Sequence, residues 1–471
     1  MALTVPVNRN VLEMEYAVRG PIPQRAAELQ AQGMATIPCN IGNPQALGQR
    51  PITFYRQVLS LVEQPSQVAR ERALLSAATA GVEPVPAEVL DVAEEILERA
   101  RTGAGAYTES AGFRFVREAV ARFINARDGF DPGSKLAAGP DTIFLTDGAS
   151  AGAKHLLEML ISQPGDGILI PIPQYPLYSA TITRCGGTQV SYFPDEDSGW
   201  TLSRETVEAP LREARRRGVR VRAIVVINPG NPTGAILDET SMREVVAIAR
   251  EHGLAIIADE VYQDNTYGQP WSSFAKVIGD EPIPLFSLHS ASKGFHGECG
   301  HRGGYLELRN PPRVQGTNLS FTDVVMKQAS VSLCPNTMGQ ILTFLMVSGP
   351  REGTPSRALY LRERQQVLDT LHAKATMIRS YFDRMEGVEC FGRIGAMYLF
   401  PRLGTLPRSS GDFEYCMRLL EETGMCTVNG AGFGQRAGTH HLRIAFLPPR
   451  DMIEEVMPRW VEWHNRYVKQ G

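Results

Sequence analysis

The chain has 471 residues, 43% of them apolar, and a formal net charge of -3. That length points to two or three domains with sizeable cores. The charge balance gives no bulk attraction to nucleic acid or to an anionic membrane.

Seven cysteines with no Cys-x-x-Cys pair argue against a disulfide scaffold or a zinc module and fit a reducing compartment. Nine histidines show no zinc-ligand spacing, so no metal site is expected. No apolar run reaches membrane-spanning length. The N-terminus lacks an apolar signal core, makes a poor transit peptide, and the terminal Val-Lys-Gln-Gly is no peroxisomal address. A soluble, cytoplasmic protein is expected.

In chain order, the first 75 or so residues are rich in Gly, Pro and Gln and read as an irregular arm with short helices, such as Arg25 to Gly33. A helix follows at Ala87 to Arg101, where Val89, Val92, Ala93, Ile96 and Leu97 make an apolar stripe. Short apolar runs then alternate with helical patterns. The runs are Asp141–Thr146, Gly167–Ile172, Arg222–Ile227, Leu254–Ala258 and Pro284–Leu288, with helices expected at Ala151–Ile161 and Glu239–His252. Strands apolar on both faces and alternating with helices imply an α/β fold, its mainly parallel sheet covered on both sides. Ligands of such sheets bind beyond the carboxyl ends of the strands. The basic stretch Arg212–Arg222 reads as a solvated helix face leading into a strand rather than as a phosphate patch. From about Asn336 the pattern changes to a long helix, Arg357–Met385, and short strands at Cys426–Val428 and His441–Phe446. The expected organisation is an N-terminal arm (1–85) packing with the small domain, a large domain (86–335) and a smaller α+β domain (336–471).

Four loops carry unusual chemistry. Ser290-Ala-Ser-Lys293-Gly-Phe-His-Gly-Glu-Cys-Gly-His-Arg302 sets a lysine in a glycine-rich bend, and an amine is a nucleophile toward aldehydes only when deprotonated by its surroundings. Arg302 offers a bidentate grip on phosphate. Asn228-Pro-Gly-Asn231-Pro-Thr-Gly234 ends a buried strand with amides able to donate to a ligand oxygen, or is simply a strand-to-helix turn. Asp259-Glu-Val-Tyr262 puts a carboxylate at a strand end, where it needs a partner such as a protonated pyridine nitrogen, unless it only caps the next segment. Gly148-Ala149-Ser150 is either a phosphate cradle at a helix start or a glycine turn with a serine cap. Two single residues complete the set. Arg443, on an apolar strand, is a structural arginine or a carboxylate clamp, and Tyr175 either stacks on an aromatic ring or packs a corner.

Together these motifs resemble the pyridoxal-phosphate (PLP) enzymes of fold type I, the aspartate-aminotransferase-like class I/II family. Gly-Ala-Ser, Asn-Pro-Thr-Gly, Asp-x-x-Tyr, Ser-x-Ser-Lys, Arg and a late Arg occur in the family's order. Glu15–Ile22, the segment Asn40–Val58 and the nine-residue step from Lys293 to Arg302 are similar to the alanine aminotransferase group, and the likeness runs from about residue 11 to the end. The resemblance implies Lys293 as the Schiff-base lysine and Asp259 as partner of the ring nitrogen, with Asn231 and Tyr262 on the ring oxygen. Tyr175 would stack on the ring, and Ala149, Ser150, Ser290 and Arg302 would hold the phosphate. Tyr107 would reach the phosphate in a neighbouring subunit, implying a homodimer with shared sites. Arg443 would bind the substrate carboxylate, with Asn231 and the Gly42 backbone close by. The implied reaction is ping-pong transamination of L-alanine and 2-oxoglutarate to pyruvate and L-glutamate. Alternatives are a glutamate–glyoxylate aminotransferase or a lyase of the aminocyclopropanecarboxylate synthase type. A PLP-binding, DNA-binding regulator is disfavoured, because the segment before the fold is too short and too rich in Pro and Gly for a winged helix.

Overall fold

The computed structural model describes residues 4–16, 20–77, 81, 83–101, 103–407 and 410–470. Three residues of the 15–22 motif, Ala17 to Arg19, and the terminal Gly471 lie outside these. The chain divides into two compact units built from interleaved stretches. Met1–Gly48, Leu156–Ile278 and Thr370–Gly471 form one, and Gln49–His155 with Gly279–Asp369 the other.

In the first unit four strands run parallel. Asp166–Pro171 lies between Thr188–Tyr192 and Arg220–Ile227, which in turn pairs with Ala255–Asp259. Asp166–Pro171 and Ala255–Asp259 are buried along their whole length, as strands covered on both faces must be. The helix Glu239–His252 sits where its sequence signals put it. Asp238 caps it by accepting from the Ser241 amide at 2.7 Å, Glu239 opens it, and Gly253 ends it in the left-handed region at φ +65°. The apolar pattern does not predict the strand Thr188–Tyr192. It pairs on one side only within this unit and alternates polar with apolar residues, so it lacks the continuous apolar run of its neighbours.

A second, antiparallel sheet of this unit centres on Leu442–Ala445, flanked by Tyr398–Leu399 and Val428–Asn429. Ile37–Pro38 pairs in parallel with Met425–Cys426, and the Ala445 amide donates to the Cys39 carbonyl at 2.7 Å. An N-terminal loop is thereby fixed beside the strand that carries Arg443.

The second unit holds Gly304–Arg309 between Leu285–Ser290 and Ile143–Leu145, both pairings antiparallel. Its core joins Tyr55, Val58, Leu90, Ile96, Val120, Ile124, Ile341 and Leu345. Helices at Thr53–Glu63 and Ser66–Ala77 occupy a stretch whose composition reads as irregular. The first lacks a side-chain cap and forms because it buries Phe54, Tyr55, Val58, Leu59, Leu61 and Val62. The expected stripe of the helix Ala87–Arg99 is buried at Val89, Val92, Ala93 and Ile96. No described helix is long and apolar enough to cross a membrane, and among the described residues the seven cysteines form no disulfide.

The basic stretch is the end of the helix Arg204–Arg216 and the start of the strand Arg220–Ile227. Arg220 and Arg222 both donate to buried Asp166, whose other oxygen accepts from the Ser162 amide and hydroxyl at 3.0 and 2.8 Å. Burial alone would raise the Asp166 pKa, but the Ser162 and Arg222 hydrogen bonds outweigh it and hold it below the usual carboxyl range. Asp166→Asn should therefore cost about 1–3 kcal/mol at neutral pH. A depressed folded-state pKa stabilises above the unfolded value, about 4, and that contribution disappears as pH falls through the folded value. Urea melts should show the variant's deficit shrinking on acidification; a deficit independent of pH would contradict the assignment.

Candidate active site

In the first unit two parallel strands deliver their carboxyl ends to chemistry-bearing loops. Asp259 closes the strand Ala255–Asp259 and is buried. Its Oδ2 accepts from the Tyr178 hydroxyl at 2.7 Å. Burial and the nearby Asp259 charge push the Tyr178 pKa well above its usual value, so it stays a neutral donor. The Asn228–Gly234 loop leaves the neighbouring strand, and its two asparagines differ in role. Asn228 braces the loop: its Oδ1 accepts from the Leu237 amide at 3.0 Å, and its backbone amide donates to the Asp259 carbonyl at 3.0 Å. Asn231 Oδ1 accepts from Arg443 at 3.2 Å, which leaves Nδ2 as the donating end.

Arg443 is 1% exposed on the central strand of the antiparallel sheet. One terminal nitrogen meets Asn231 and the other donates to the Asn40 carbonyl at 2.5 Å. The rings of Tyr398 and Phe433 have their centres 4.3 and 4.8 Å from its guanidinium carbon, faces toward the charge. Nε has no hydrogen-bond partner, and among the described residues no carboxylate pairs with this cation. A buried charge left in that condition calls for an anion from outside the chain. Gly42 follows Asn40 by two positions in the same N-terminal loop.

Tyr262 is buried and donates to the Tyr398 hydroxyl at 3.3 Å. Burial, then Tyr398, push its pKa well up, against a smaller opposite pull from Arg443. Tyr175 is half-buried and accepts from the Tyr16 hydroxyl at 2.6 Å, the rings meeting edge to face.

In the second unit Lys293 sits in a turn pinned at both ends. The Ser290 hydroxyl donates to the Gly303 carbonyl and accepts from the Ser292 amide, the Ala291 amide donates to Gly303, and the Glu298 amide returns to Ala291. Ser290, expected at a phosphate, thus also ties the lysine turn. Buried Glu298 pairs with Arg56 at 3.0 Å and with His301 Nδ1 at 2.9 Å. His296 Nδ1 meets the Tyr55 hydroxyl at 2.8 Å, and Gln49 donates to the Phe295 carbonyl at 2.9 Å. The 40–58 segment, similar to one group of enzymes by sequence, therefore grips the long lysine loop through Gln49, Tyr55 and Arg56.

Arg302 adopts φ +58°, rare for a residue other than glycine, and such strain concentrates at functional positions. Its NH2 donates to the Asp147 carbonyl at 2.8 Å and to the Ser150 hydroxyl at 3.1 Å. Ala149 and Ser150 open the helix Ala149–Leu160, directly after Gly148 at φ +72°. A Cβ on Gly148 would lie 2.6 Å from the Arg302 guanidinium, so only glycine leaves this cradle open. Helix-start amides, a hydroxyl and a guanidinium held side by side are a donor set for phosphate. Asp259, Asn231 and Tyr262 offer an acid and two neutral donors. Taken unit by unit, the cradle suits the phosphate of pyridoxal phosphate and the strand-end trio suits its ring. Tyr107 is 77% exposed on a loop whose neighbours Ala106 and Thr108 are held by Thr337 and Gln340.

Tyr178, Tyr398, Phe433, Asn40 and Arg56 escape motif reasoning. A partial signal existed for Tyr178, the second tyrosine of Gln174-Tyr-Pro-Leu-Tyr178, and for Asn40 and Arg56, which lie inside the 40–58 segment.

The family model for aminotransferase class I and II matches residues 80–459. Alanine aminotransferase 2 of Panicum miliaceum is 41% identical, over 100% of this chain and 99% of its own length. Glutamate–glyoxylate aminotransferase 1 of Arabidopsis thaliana is also 41% identical, covering 98% of this chain and 96% of its own. Among solved structures, an alanine aminotransferase from Pyrococcus furiosus superposes with a TM-score of 0.76 at 25% identity, over 99% of this chain and 100% of that one. Fold type I is thereby established, in a family whose members are PLP enzymes. The agreement extends from the N-terminal loop beside Arg443 to the last strand, and on it the chain belongs to the class I and II aminotransferases.

Proposed function

We propose that this aminotransferase uses pyridoxal phosphate to pass the amino group of L-alanine to 2-oxoglutarate, giving pyruvate and L-glutamate by a ping-pong sequence. One observation carries the substrate class: Arg443 is a buried cation without a carboxylate among the described residues, set against Asn231, and it suits the α-carboxylate common to amino acids and 2-oxoacids. Relatives named for alanine support the donor.

When bound, the cofactor supplies an aldehyde for the amino group and a protonated ring that draws electrons from the substrate Cα–H bond. Lys293 would hold the group covalently through its amine, and that amine would serve as the base that moves a proton at the substrate Cα. Asp259 keeps a proton on the ring nitrogen, and the Tyr178 hydroxyl keeps the carboxylate oriented. Asn231 Nδ2 and the Tyr262 hydroxyl donate to the ring oxygen, while Tyr175 covers the ring face. Ala149, Ser150, Ser290 and Arg302 hold the phosphate. Exposed Tyr107 reaches the phosphate of a second copy, so the working form is a homodimer with shared sites. Arg443, flanked by the Gly42 backbone, grips the substrate. The functional division is an arm (1–85), a large domain (86–335) and a small domain (336–471), in a soluble cytoplasmic enzyme.

A second acceptor merits a direct trial, because an equally similar relative is named for glyoxylate. Initial rates with L-alanine against 2-oxoglutarate should exceed those with L-glutamate against glyoxylate; the reverse order would reassign the physiological pair.

The purified protein should show a visible absorption band that shifts on adding L-alanine and is fixed by borohydride. Lys293→Ala should lose roughly 10⁴-fold or more of its turnover while its melting curve is kept. Ordinary turnover by that variant would refute the role of Lys293. Asp259→Asn should lower kcat roughly 10²–10³-fold with the phosphate cradle still able to retain cofactor, measured by fluorescence titration. A kcat within a few-fold of wild type would remove Asp259 from the ring nitrogen.

A further inference from the structure

Tyr398 lies in no motif, yet it touches two groups of the proposed site at once. It sits on the strand Tyr398–Leu399, opposite Ala445 on the Arg443 strand, and is 2% exposed. Its ring centre lies 4.3 Å from the Arg443 guanidinium carbon. Its hydroxyl meets that of Tyr262 at 3.3 Å, the two rings edge to face at 6.0 Å. A tyrosine face near a desolvated guanidinium stabilises the cation and fixes its plane.

We propose that Tyr398 is a positioning residue that couples the carboxylate clamp to the ring-oxygen donor: its ring orients Arg443, and its hydroxyl supports Tyr262.

Proton counting gives the hydroxyl its role. Tyr262 has one proton and here directs it to Tyr398. If Tyr262 is to donate to a ring oxyanion, its proton must turn away, and its oxygen is left to accept. Tyr398 then supplies a proton to that oxygen by rotation about its own C–O bond, so the pair reverses direction without either group ionising. A hydrogen-bonded chain of this kind strengthens the terminal donor. Tyr398, Arg443 and Tyr175 are among the charged and titratable groups that act on Tyr262. A leucine in place of Tyr398 would lack both ring face and hydroxyl, whereas phenylalanine would lack the hydroxyl alone.

This inference rests on the PLP reading, and the two fail in distinguishable ways. The readout is the pH midpoint of the visible absorption band of the unliganded holoenzyme, followed by KM for L-alanine. A hydrogen bond to an anion lowers the pKa of the proton that neutralises it. Tyr398→Phe should therefore raise the midpoint by about half a pH unit or more, with KM within about twofold because a ring face remains. Tyr398→Leu should raise the midpoint similarly and also raise KM roughly three- to thirty-fold. An unmoved midpoint in Tyr398→Phe overturns the inference, and because that variant keeps the packing this outcome is decisive even if Tyr398→Leu fails to fold. A wild-type protein that takes up no cofactor and shows no visible band overturns the PLP reading itself, and the inference with it.

Discussion

The arrangement of the first unit follows from one electrostatic problem, the burial of the Arg443 charge without a carboxylate to neutralise it. Moving a cation into a dry interior costs several kcal/mol after relaxation. The chain offsets part of this with two charge-assisted hydrogen bonds, each worth about 1.5–3 kcal/mol. Two aromatic faces add about 0.5–2 kcal/mol each. None of these partners carries a negative charge, so the field of the guanidinium remains available to a ligand. A glutamate in the place of Asn231 would stabilise the empty protein more and bind a carboxylate less. The polar but neutral lining thus leaves this buried cation uncompensated by any carboxylate among the described residues, the property on which the proposed carboxylate grip depends.

That lining is drawn from distant parts of the chain. Asn40 is 403 positions from Arg443, and Asn231 is 212. Strand pairing brings much of it together. Ile37–Pro38 pairs with Met425–Cys426 and delivers Asn40, while the strand Tyr398–Leu399 delivers Tyr398. This explains which residues could be read in advance. Lys293, Asp259, Asn231 and Arg443 stood out as candidates because local neighbours mark them: a glycine-rich bend, a strand end, an Asn-Pro pair, and a charge in an apolar run. Tyr398 and Phe433 act through ring faces across a sheet, and nothing adjacent in sequence signals that.

The fold was legible to the same limit. Continuous apolar runs such as Arg222–Ile227 located the buried parallel strands, and the helical pattern between two of those runs located the helix Glu239–His252. The strand Thr188–Tyr192 escaped because an edge position needs only every second residue to be apolar. The helix Thr53–Glu63 escaped because its stability comes from burying six apolar side chains in the core, not from capping. Interleaving of the two units is likewise a tertiary fact, since each unit gathers stretches that are far apart in sequence. The basic stretch shows the converse: a run of like charge needed its partner, buried Asp166, before its structural role could be read.

The tyrosines complete the physical picture by what they do not do. Tyr178 and Tyr262 are buried, and burial lifts both well above their ordinary pKa. A phenol held neutral keeps its proton throughout the range in which an enzyme works, so it donates at every pH and adds no charge of its own. Asp259 and Arg443 therefore meet fixed dipoles instead of groups that switch sign. On the proposed reading the same neutral donors serve the amino-acid half and the oxoacid half of the reaction alike, which a donor that changed its charge could not do.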